Sequence, residues 1–182
     1  MHTSSINSKF GYISIVEEDG FITAILFSYM EENPSPLSEK AKIQIEEYLK
    51  GERKTFDLPI KMNGTDFQKI VWNAIYDIPF GKTISYKDIG DRIGSKGYQA
   101  IGSACGKNPL PIIVPCHRVL GKDNIGGFSL GLDVKRSLLE IERSANDIAT
   151  GTLSKLEDET YIRTTMDKVL IAIRNKSYND AQ

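Results

Sequence analysis

Three prolines within the seven residues 109–115 restrict the backbone of this chain more than any other feature. Proline fixes φ at about −65°, lacks an amide proton and disfavours a helical conformation at the residue before it. The segment therefore cannot be a helix, and we predict a stiff, extended path. Residues 112–114 read Ile-Ile-Val, which should be buried, and the path ends at Cys116 and His117. We expect the cysteine to be held rigidly in a partly dry place.

Cys116 stands directly before His117, although the chain contains only two cysteines and two histidines. Four interpretations are open: a buried structural cysteine, a metal ligand, the nucleophile of a cysteine hydrolase, and a thiolate that accepts a transferred group. A metal site is poorly supported, because Cys105 and His2 are the remaining soft ligands. A hydrolase would need a histidine distant in sequence, for which His2 is a poor candidate. We therefore expect no metal and no cofactor.

Group transfer to Cys116 requires a thiolate, and an unperturbed cysteine with a pKa of about 8.5 is mostly protonated at neutral pH. We therefore expect surroundings that keep this sulfur ionised. Adjacent side chains point apart in an extended chain, so His117 would reach the sulfur through a turn or a bridging water. A carboxylate behind the imidazole would orient it and stabilise its charged form, and Glu142 is a candidate by chain order. Cys105 lies on the apolar face of a predicted helix, where we expect a structural role.

Residues 1–62 are predicted to form a small α+β unit without visible chemistry. Two β-rich runs in residues 10–28 are joined by Asp-Gly, a favoured hairpin turn. Apolar residues at helical spacing predict a helix over residues 37–50, which Gly51 can end in the left-handed conformation. The KTFDLPI stretch that follows is predicted to be a short strand or an extended linker.

Residues 63–147 are predicted to form a second, mainly helical unit. A capping box at Thr65 begins an amphipathic helix. Ser85 is placed to cap a short helix that ends at Gly94, and a further helix follows at about residues 98–105, which makes a helix-turn-helix candidate. The second of these helices carries mostly small side chains: Gln99, Ala100, Ser103 and Ala104.

The end of the second unit is predicted to be a glycine-rich loop at residues 126–133 and a helix over about residues 134–144. Residues 148–182 are predicted to be a helical C-terminal tail, for which we have no functional interpretation. Its apolar side chains recur at helical spacing: Ile162, Met166, Val169, Leu170 and Ile173.

The charge of the chain is close to balanced but unevenly distributed. The net charge is −1, which argues mildly against a nucleic-acid partner. Residues 81–122 nevertheless hold seven basic and two acidic residues, a patch that could face phosphate or simply be an uneven solvated surface. The sequence contains no apolar run of about 20 residues and no signal-peptide pattern at its start. With only two cysteines it suggests a reducing, cytoplasmic protein.

Three stretches resemble the O6-alkylguanine-DNA alkyltransferases, also called methylated-DNA–protein-cysteine methyltransferases. They read FQKIVWNAIYDIPFGKTISY, QAIGSACGKNPLPIIVPCHRV and GGFSLGLDVKRSLLEIE, and together they span about residues 64–143. The Asn-Pro-x-Pro and Pro-Cys-His-Arg block is the most specific part. The resemblance implies a ribonuclease H-like N-terminal unit, followed by a winged-helix-like, helix-turn-helix active-site domain.

The resemblance also implies catalytic roles for particular residues. Cys116 would be the nucleophile that takes the alkyl group from O6 of guanine. His117 would act as a base through water, with Glu142 completing the relay. Asn108 would fix the turn that holds the cysteine. Tyr86 would help to rotate the nucleotide out of the duplex and donate a proton towards N3.

Substrate and DNA contacts follow from the same resemblance. The backbone carbonyls of Cys116 and Val119 would read the exocyclic amine, and Ser129 would contact O6 from a loop that also carries Phe128. The helix-turn-helix would enter the minor groove of double-stranded DNA. The residues expected at the DNA are Tyr86, Gln99, Ala100, Ser103, Lys107 and Arg118.

Three positions depart from the usual family residues. Gln99 stands where an arginine commonly fills the gap left by the flipped base, so we expect weaker or more salt-tolerant binding. Phe128 stands where a tyrosine is common. Leu130 stands where a small residue is common, so bulky alkyl groups should enter less easily.

Transfer to sulfur would give a thioether that ordinary side chains cannot reverse, so we expect one turnover per molecule, acting as a monomer. O6-alkylguanine is the expected substrate, and O4-alkylthymine stays open. The alternative is a non-catalytic protein that binds alkylated DNA and signals damage, against which the presence of Cys116 argues. A plain helix-turn-helix regulator would have no need of the Pro-Cys-His-Arg block.

Overall fold

The computed structural model describes residues 1–149, so the apolar stripe predicted for the tail lies outside the described residues. The N-terminal part contains three strands and a helix: β1 (His2–Ser8), β2 (Gly11–Glu18), β3 (Phe21–Leu26) and α1 (Pro36–Leu49). The strands form an antiparallel sheet in the order β1-β2-β3. The predicted hairpin is confirmed, and Asp19 and Gly20 take φ values of 51° and 82° in its turn.

Helix α1 packs across this sheet. Ser35 caps it with a reciprocal capping box, and Pro36 occupies its first turn, where a missing amide proton costs nothing. Ala41, Ile45 and Tyr48 recur at helical spacing and are fully buried. The amphipathic face therefore places a tyrosine side chain deep in the molecule.

The KTFDLPI stretch forms no regular strand in the described chain, but it pairs at one point with the edge of the sheet. Ile22 donates from its amide to the carbonyl of Pro59 over 2.8 Å, and Lys61 donates to the carbonyl of Ile22 over 3.1 Å. The extended-linker alternative is therefore the better description.

The second part is mainly helical. Its elements are α2 (Asp66–Tyr76), β4 (Ile84–Ser85), α3 (Tyr86–Ile93), α4 (Tyr98–Gly106), a short 3₁₀ helix (Cys116–Arg118), β5 (Val119–Leu120) and α5 (Leu132–Ala149). The predicted capping boxes are present at Thr65 and Ser85, and Gly94 ends α3 with a φ of 70°. Helix α5 starts before and ends after the predicted limits, because its periodic pattern continues past Ser144.

Helices α3 and α4 form the helix-turn-helix. Gly90 lets them approach, since a Cβ placed there would lie 2.5 Å from the carbonyl oxygen of Ser95 and 2.8 Å from the ring of Tyr98. The indole of Trp72 in α2 donates to the carbonyl of Ala104 over 2.8 Å. This hydrogen bond therefore joins α4 of the helix-turn-helix to α2.

The proline-rich segment is not extended, which corrects the prediction. Ile112 has a φ of 77°, and the amide of Val114 donates to the carbonyl of Leu110 over 2.8 Å, so the chain coils into a tight turn. Proline restricts φ but leaves the intervening residues free to reverse the chain direction. The expected burial of residues 112–114 is confirmed.

One apolar cluster runs through both parts of the chain, from Ile6 of the sheet to Leu138 of α5. The amide of Ile25 in β3 donates to the carbonyl of Pro109 over 2.8 Å, which ties the sheet to the proline-rich turn. Within residues 1–149, each helix is too short or too polar to cross a membrane.

Candidate functional site

Cys116 begins the 3₁₀ helix and its sulfur reaches a cavity of about 500 Å³. The side chain is only 5% exposed, so the cavity is its route to the surface. The cavity lies between α4, the start of α3 and the glycine-rich loop. Its lining residues are Tyr86, Tyr98, Gln99, Gly102, Cys105, Gly106, Cys116, Gly127, Phe128 and Ser129.

The side-chain amide of Asn108 fixes the turn that carries the cysteine. Its Nδ2 donates to the carbonyl of Val114 over 2.7 Å and to Cys116 Sγ over 3.0 Å. Its Oδ1 accepts from the amide of Leu110 over 2.9 Å. One side chain thus closes the loop and also touches the sulfur, as required for a nucleophile held in one position.

The surroundings of Cys116 do not favour its thiolate, contrary to the expectation of a preformed thiolate. A hydrogen bond to the Cys105 thiol, together with burial, holds the pKa of Cys116 well above its ordinary value. The Asn108 amide and the charge of Lys135 act in the opposite direction. The sulfur therefore needs a base at the moment of reaction.

His117 is fully buried beside the cysteine and donates from Nε2 to Oε2 of Glu142. Burial lowers the pKa of His117, so the ring is neutral at neutral pH. With its proton on Nε2, the ring leaves Nδ1 as an unprotonated acceptor. Among residues 1–149, Nδ1 has no hydrogen-bond partner.

Glu142 is the centre of a buried network. Its Oε1 accepts from Arg118 Nε over 2.8 Å and from the amide of Gly81 over 2.9 Å. Its Oε2 accepts from Arg118 Nη2 over 3.2 Å and from the hydroxyl of Tyr48 over 2.5 Å, besides His117. Burial alone would raise the pKa of Glu142, but the hydrogen bonds and charges of His117 and then Arg118 lower it to about 2.

Arg118 is buried, whereas the resemblance implies a residue at the DNA. It is 5% exposed, pairs with Glu142, and donates from Nη1 to the carbonyl of Ile78 over 2.7 Å. Its guanidinium is therefore held inside the protein, where a phosphate would not reach it. Four other residues expected at the DNA are exposed, three of them on α4 and the last just after its end: Gln99, Ala100, Ser103 and Lys107.

Tyr86 lies half-buried at the cavity wall. Burial, followed by the neighbouring Cys105 and Cys116, raises its pKa to about 12, so the phenol keeps its proton and stays a donor. Phe128 and Ser129 also line the cavity, as expected for a substrate site.

Val119 is fully buried and, among the described residues, lies outside the cavity lining. Its carbonyl accepts from Lys135 Nζ over 2.7 Å, and the carbonyl of Gly127 accepts from the same nitrogen over 3.0 Å. Lys135 was not singled out in the sequence, where it is one of several charged residues in a helix. Burial lowers its pKa to about 8, and the two cysteines act against this shift.

Two further residues of the site were not found by sequence reasoning. Tyr48 lies on the buried, apolar face of α1, and nothing local in the sequence indicates that its hydroxyl reaches Glu142. Cys105 was expected to be structural, yet it lines the same cavity as Cys116. Such relationships depend on tertiary packing between distant segments.

Comparison with known proteins agrees with this geometry. Residues 66–144 match the family described as 6-O-methylguanine DNA methyltransferase, DNA binding domain, and residues 1–62 match its ribonuclease-like domain.

A probable methylated-DNA--protein-cysteine methyltransferase of Acanthamoeba polyphaga mimivirus is 38% identical over 145 residues, which cover 79% of this chain and 97% of that protein. The constitutive methylated-DNA--protein-cysteine methyltransferase of Bacillus subtilis is 39% identical over 155 residues, covering 77% of this chain and 94% of that protein. The crystal structure of Mycobacterium tuberculosis OGT in complex with DNA has a TM-score of 0.73 at 38% identity, covering 80% of this chain and 94% of that one.

Proposed function

Since this chain belongs to the 6-O-methylguanine DNA methyltransferase family, we propose that Cys116 Sγ is the atom that receives an alkyl group from O6 of guanine in double-stranded DNA. Membership makes the protein a DNA-binding methyltransferase that acts by direct reversal of damage. The observation that carries the assignment is the position of Cys116 on the wall of a cavity of about 500 Å³, large enough for an extruded base.

The first chemical step is removal of the thiol proton. Neutral His117 offers Nδ1 as the acceptor, and a bridging water would connect it to Cys116 Sγ. Glu142 stays a carboxylate behind the ring, because the pKa of its carboxyl is about 2, and it stabilises the imidazolium that forms. The relay therefore produces a thiolate only when the substrate is in place.

The second step is displacement at the alkyl carbon. The thiolate electron pair forms a carbon–sulfur bond while the carbon–O6 bond breaks, and its electrons pass into the purine. Tyr86, which keeps its proton, donates it towards N3 so that guanine leaves neutral. The imidazolium and the phenolate recover their resting states by exchange with solvent. The thioether on Cys116 is stable, so each molecule acts once.

The target carbon lies inside the base stack, so the nucleotide must leave the duplex, at a cost of a few kcal/mol that an alkylated, poorly paired guanine reduces. Exposed small residues on α4 allow close approach to a minor groove, and Gln99 sits at the cavity edge where an extruded base would pass. Lys107, exposed at the C-terminal end of α4, is suited to a phosphate.

In this proposal residues 63–147 bind DNA and carry out the transfer. Residues 1–62 pack against that part and supply the Tyr48 hydroxyl that hydrogen-bonds Glu142. The protein acts as a monomer, because one chain supplies the sulfur, its relay and the DNA-facing helix. A reducing, cytoplasmic setting suits it, because both cysteines are free thiols.

Intact-mass measurement after incubation with duplex DNA carrying O6-methylguanine tests the proposal. We expect one added CH2 per protein molecule, mapped to Cys116, and none in Cys116→Ala. Tight binding of the lesion with an unchanged mass would overturn the transfer function in favour of a damage-binding protein. The same assay with O4-methylthymine decides whether that base is also a substrate.

A further inference from the structure

Tyr48 is a residue of the first 62 positions that reaches the relay behind Cys116. Its hydroxyl donates to Glu142 Oε2 over 2.5 Å and lies 3.2 Å from His117 Nε2. We propose that Tyr48 is a positioning residue for alkyl transfer, holding the Glu142 carboxylate so that the His117 proton stays on Nε2 and Nδ1 stays free as the base. The inference rests on the proposed function of Cys116.

The first argument is the number of donors around the carboxylate. Glu142 accepts from five groups: Arg118 Nε, Arg118 Nη2, the amide of Gly81, His117 Nε2 and the hydroxyl of Tyr48. Three of these donors, Arg118 Nη2, His117 Nε2 and the Tyr48 hydroxyl, meet at Oε2. Each donor that a carboxylate oxygen accepts makes it a weaker base, so the full set keeps the proton on the imidazole. Tyr48 is the member of this set that also touches the imidazole nitrogen.

The second argument is that packing alone does not require the hydroxyl. The Tyr48 ring contacts Phe56 and Phe80, with centroid distances of 5.7 Å and 6.1 Å. A phenylalanine would fill the same space, whereas a buried hydroxyl costs free energy unless it is hydrogen-bonded. Burial, reinforced by Glu142, raises the pKa of Tyr48 well above its ordinary value, so it remains a donor.

The effect on His117 follows from the groups that face it. These are Glu142 and Lys135 from α5, Tyr48 from α1, and Arg118 in the same 3₁₀ helix. Without the hydroxyl, Glu142 Oε2 has one donor fewer and attracts the imidazole proton more strongly. The pKa of His117 then rises, and the fraction of rings able to accept the thiol proton falls as the pH is lowered.

The test compares Tyr48→Phe with Phe56→Leu, a control that disturbs the packing of the same ring without touching a polar atom of the relay. The rate constant for methyl transfer from O6-methylguanine DNA is followed by intact mass from pH 5.5 to 8.5. We expect Tyr48→Phe to be slower at pH 6 by roughly three- to tenfold, the worth of one hydrogen bond, with its acid limb moved to higher pH. Phe56→Leu should lose thermal stability and keep the wild-type pH profile.

A second readout does not depend on transfer. The ¹⁵N chemical shifts of the His117 ring report which nitrogen carries the proton, and we expect Nε2–H in the wild type and a mixture or an imidazolium in Tyr48→Phe at pH 6. A wild-type rate profile and wild-type ring shifts in Tyr48→Phe would overturn the inference. Failure of the wild type itself to gain a methyl group would instead overturn the proposed function. The ¹⁵N shifts of the His117 ring would still test whether Tyr48 keeps the proton on Nε2.

Discussion

Arg118 and Glu142 form a buried ion pair directly behind the Cys116 turn, with 2.8 Å between Nε and Oε1. The pair joins the 3₁₀ helix to α5, and the remaining guanidinium nitrogen holds the carbonyl of Ile78. The arginine of the Pro-Cys-His-Arg block is therefore an internal partner of Glu142. It keeps this carboxylate ionised and holds it in place beside His117. Its charge is buried and is not presented at the surface of the protein.

Removing the charge of Glu142 should be costly for both stability and transfer. Glu142→Gln leaves the Arg118 guanidinium buried without a counter-ion, a change that typically costs about 3–5 kcal/mol of unfolding free energy. Alkyl transfer should fall by about two orders of magnitude or more, because His117 loses the group that stabilises its charged form. Urea unfolding and the intact-mass assay measure the two effects. The partly buried neighbour Glu140, which pairs with the exposed Arg143, provides the control, and a Glu142→Gln protein as stable as Glu140→Gln would contradict the buried-pair account.

The same carboxylate should make the protein sensitive to acid. The folded pKa of about 2 lies below the ordinary value of 4.5, so the stabilisation is present above pH 4.5 and is lost as the pH falls towards 2. Each unit of pKa difference corresponds to about 1.4 kcal/mol. Unfolding free energies from pH 6 to pH 2.5 should therefore fall more steeply in the wild type than in Glu142→Gln. Parallel curves would show that Glu142 titrates normally.

Lys135→Met should make the Cys116 thiol harder to ionise. The ammonium lies close enough to lower the pKa of that thiol, and methionine keeps most of the buried stem while removing the charge. The reaction of Cys116 with iodoacetamide, mapped by peptide mass, should move to higher pH in the variant. Lys61→Met, at an exposed position, should leave the profile unchanged. If Lys135→Met left the pH profile of this reaction unchanged, the charge of Lys135 would have no effect on the pKa of Cys116.

Gln99→Arg should strengthen DNA binding and make it more dependent on salt. Gln99 is exposed at the cavity edge on α4, where an added guanidinium would face the duplex. One additional phosphate contact should steepen the slope of log affinity against log salt concentration by about one unit. Fluorescence anisotropy with a labelled duplex measures both quantities, with Gln99→Met as the uncharged control. Equal affinities and slopes for the two variants would contradict the prediction.

Gly90→Ala should separate α3 from α4. The new methyl group would press on the carbonyl of Ser95 and the ring of Tyr98, and such overpacking costs about 1–3 kcal/mol. Thermal unfolding should report the loss, and DNA affinity should fall because the helix-turn-helix is displaced. Gly102→Ala, where the added carbon meets open space, is the control for stability. Equal melting temperatures for Gly90→Ala and the wild type would show that the motif tolerates the wider spacing.

Local signals in the sequence predicted much of the fold. The capping boxes at Thr65 and Ser85, the helix-ending Gly94 and the Asp-Gly hairpin all depend on a few neighbouring residues, and each was found where predicted. Strand β1 was not predicted, because its HTSSINS sequence shows weak alternation and its pairing with β2 is a tertiary effect. The proline-rich turn was predicted wrongly, because proline sets its own φ and the Asn108 side chain sets the direction of the chain.

The candidate site was less accessible to sequence reasoning. Cys116, His117 and Glu142 could be proposed from chain order and resemblance; the structure pairs His117 with Glu142 and places Cys116 on the cavity wall. The contact between Tyr48 and Glu142 spans 94 positions, and the burial of Arg118 depends on the position of α5. No local sequence pattern indicates contacts between segments so far apart, so the positions of Tyr48 and Arg118 could be found only from the packed structure.

The unbroken apolar cluster from Ile6 to Leu138 means that the two family segments share a single interior. Because buried residues of both segments belong to this cluster, heat should melt the chain in one cooperative step, with equal calorimetric and van't Hoff enthalpies. Recombination that exchanged the amino-terminal segment between relatives would have to preserve the shared interior and the hydroxyl of Tyr48 together. The segment that carries Cys116 thus shares its interior with a segment that supplies none of the described residues of the cavity lining.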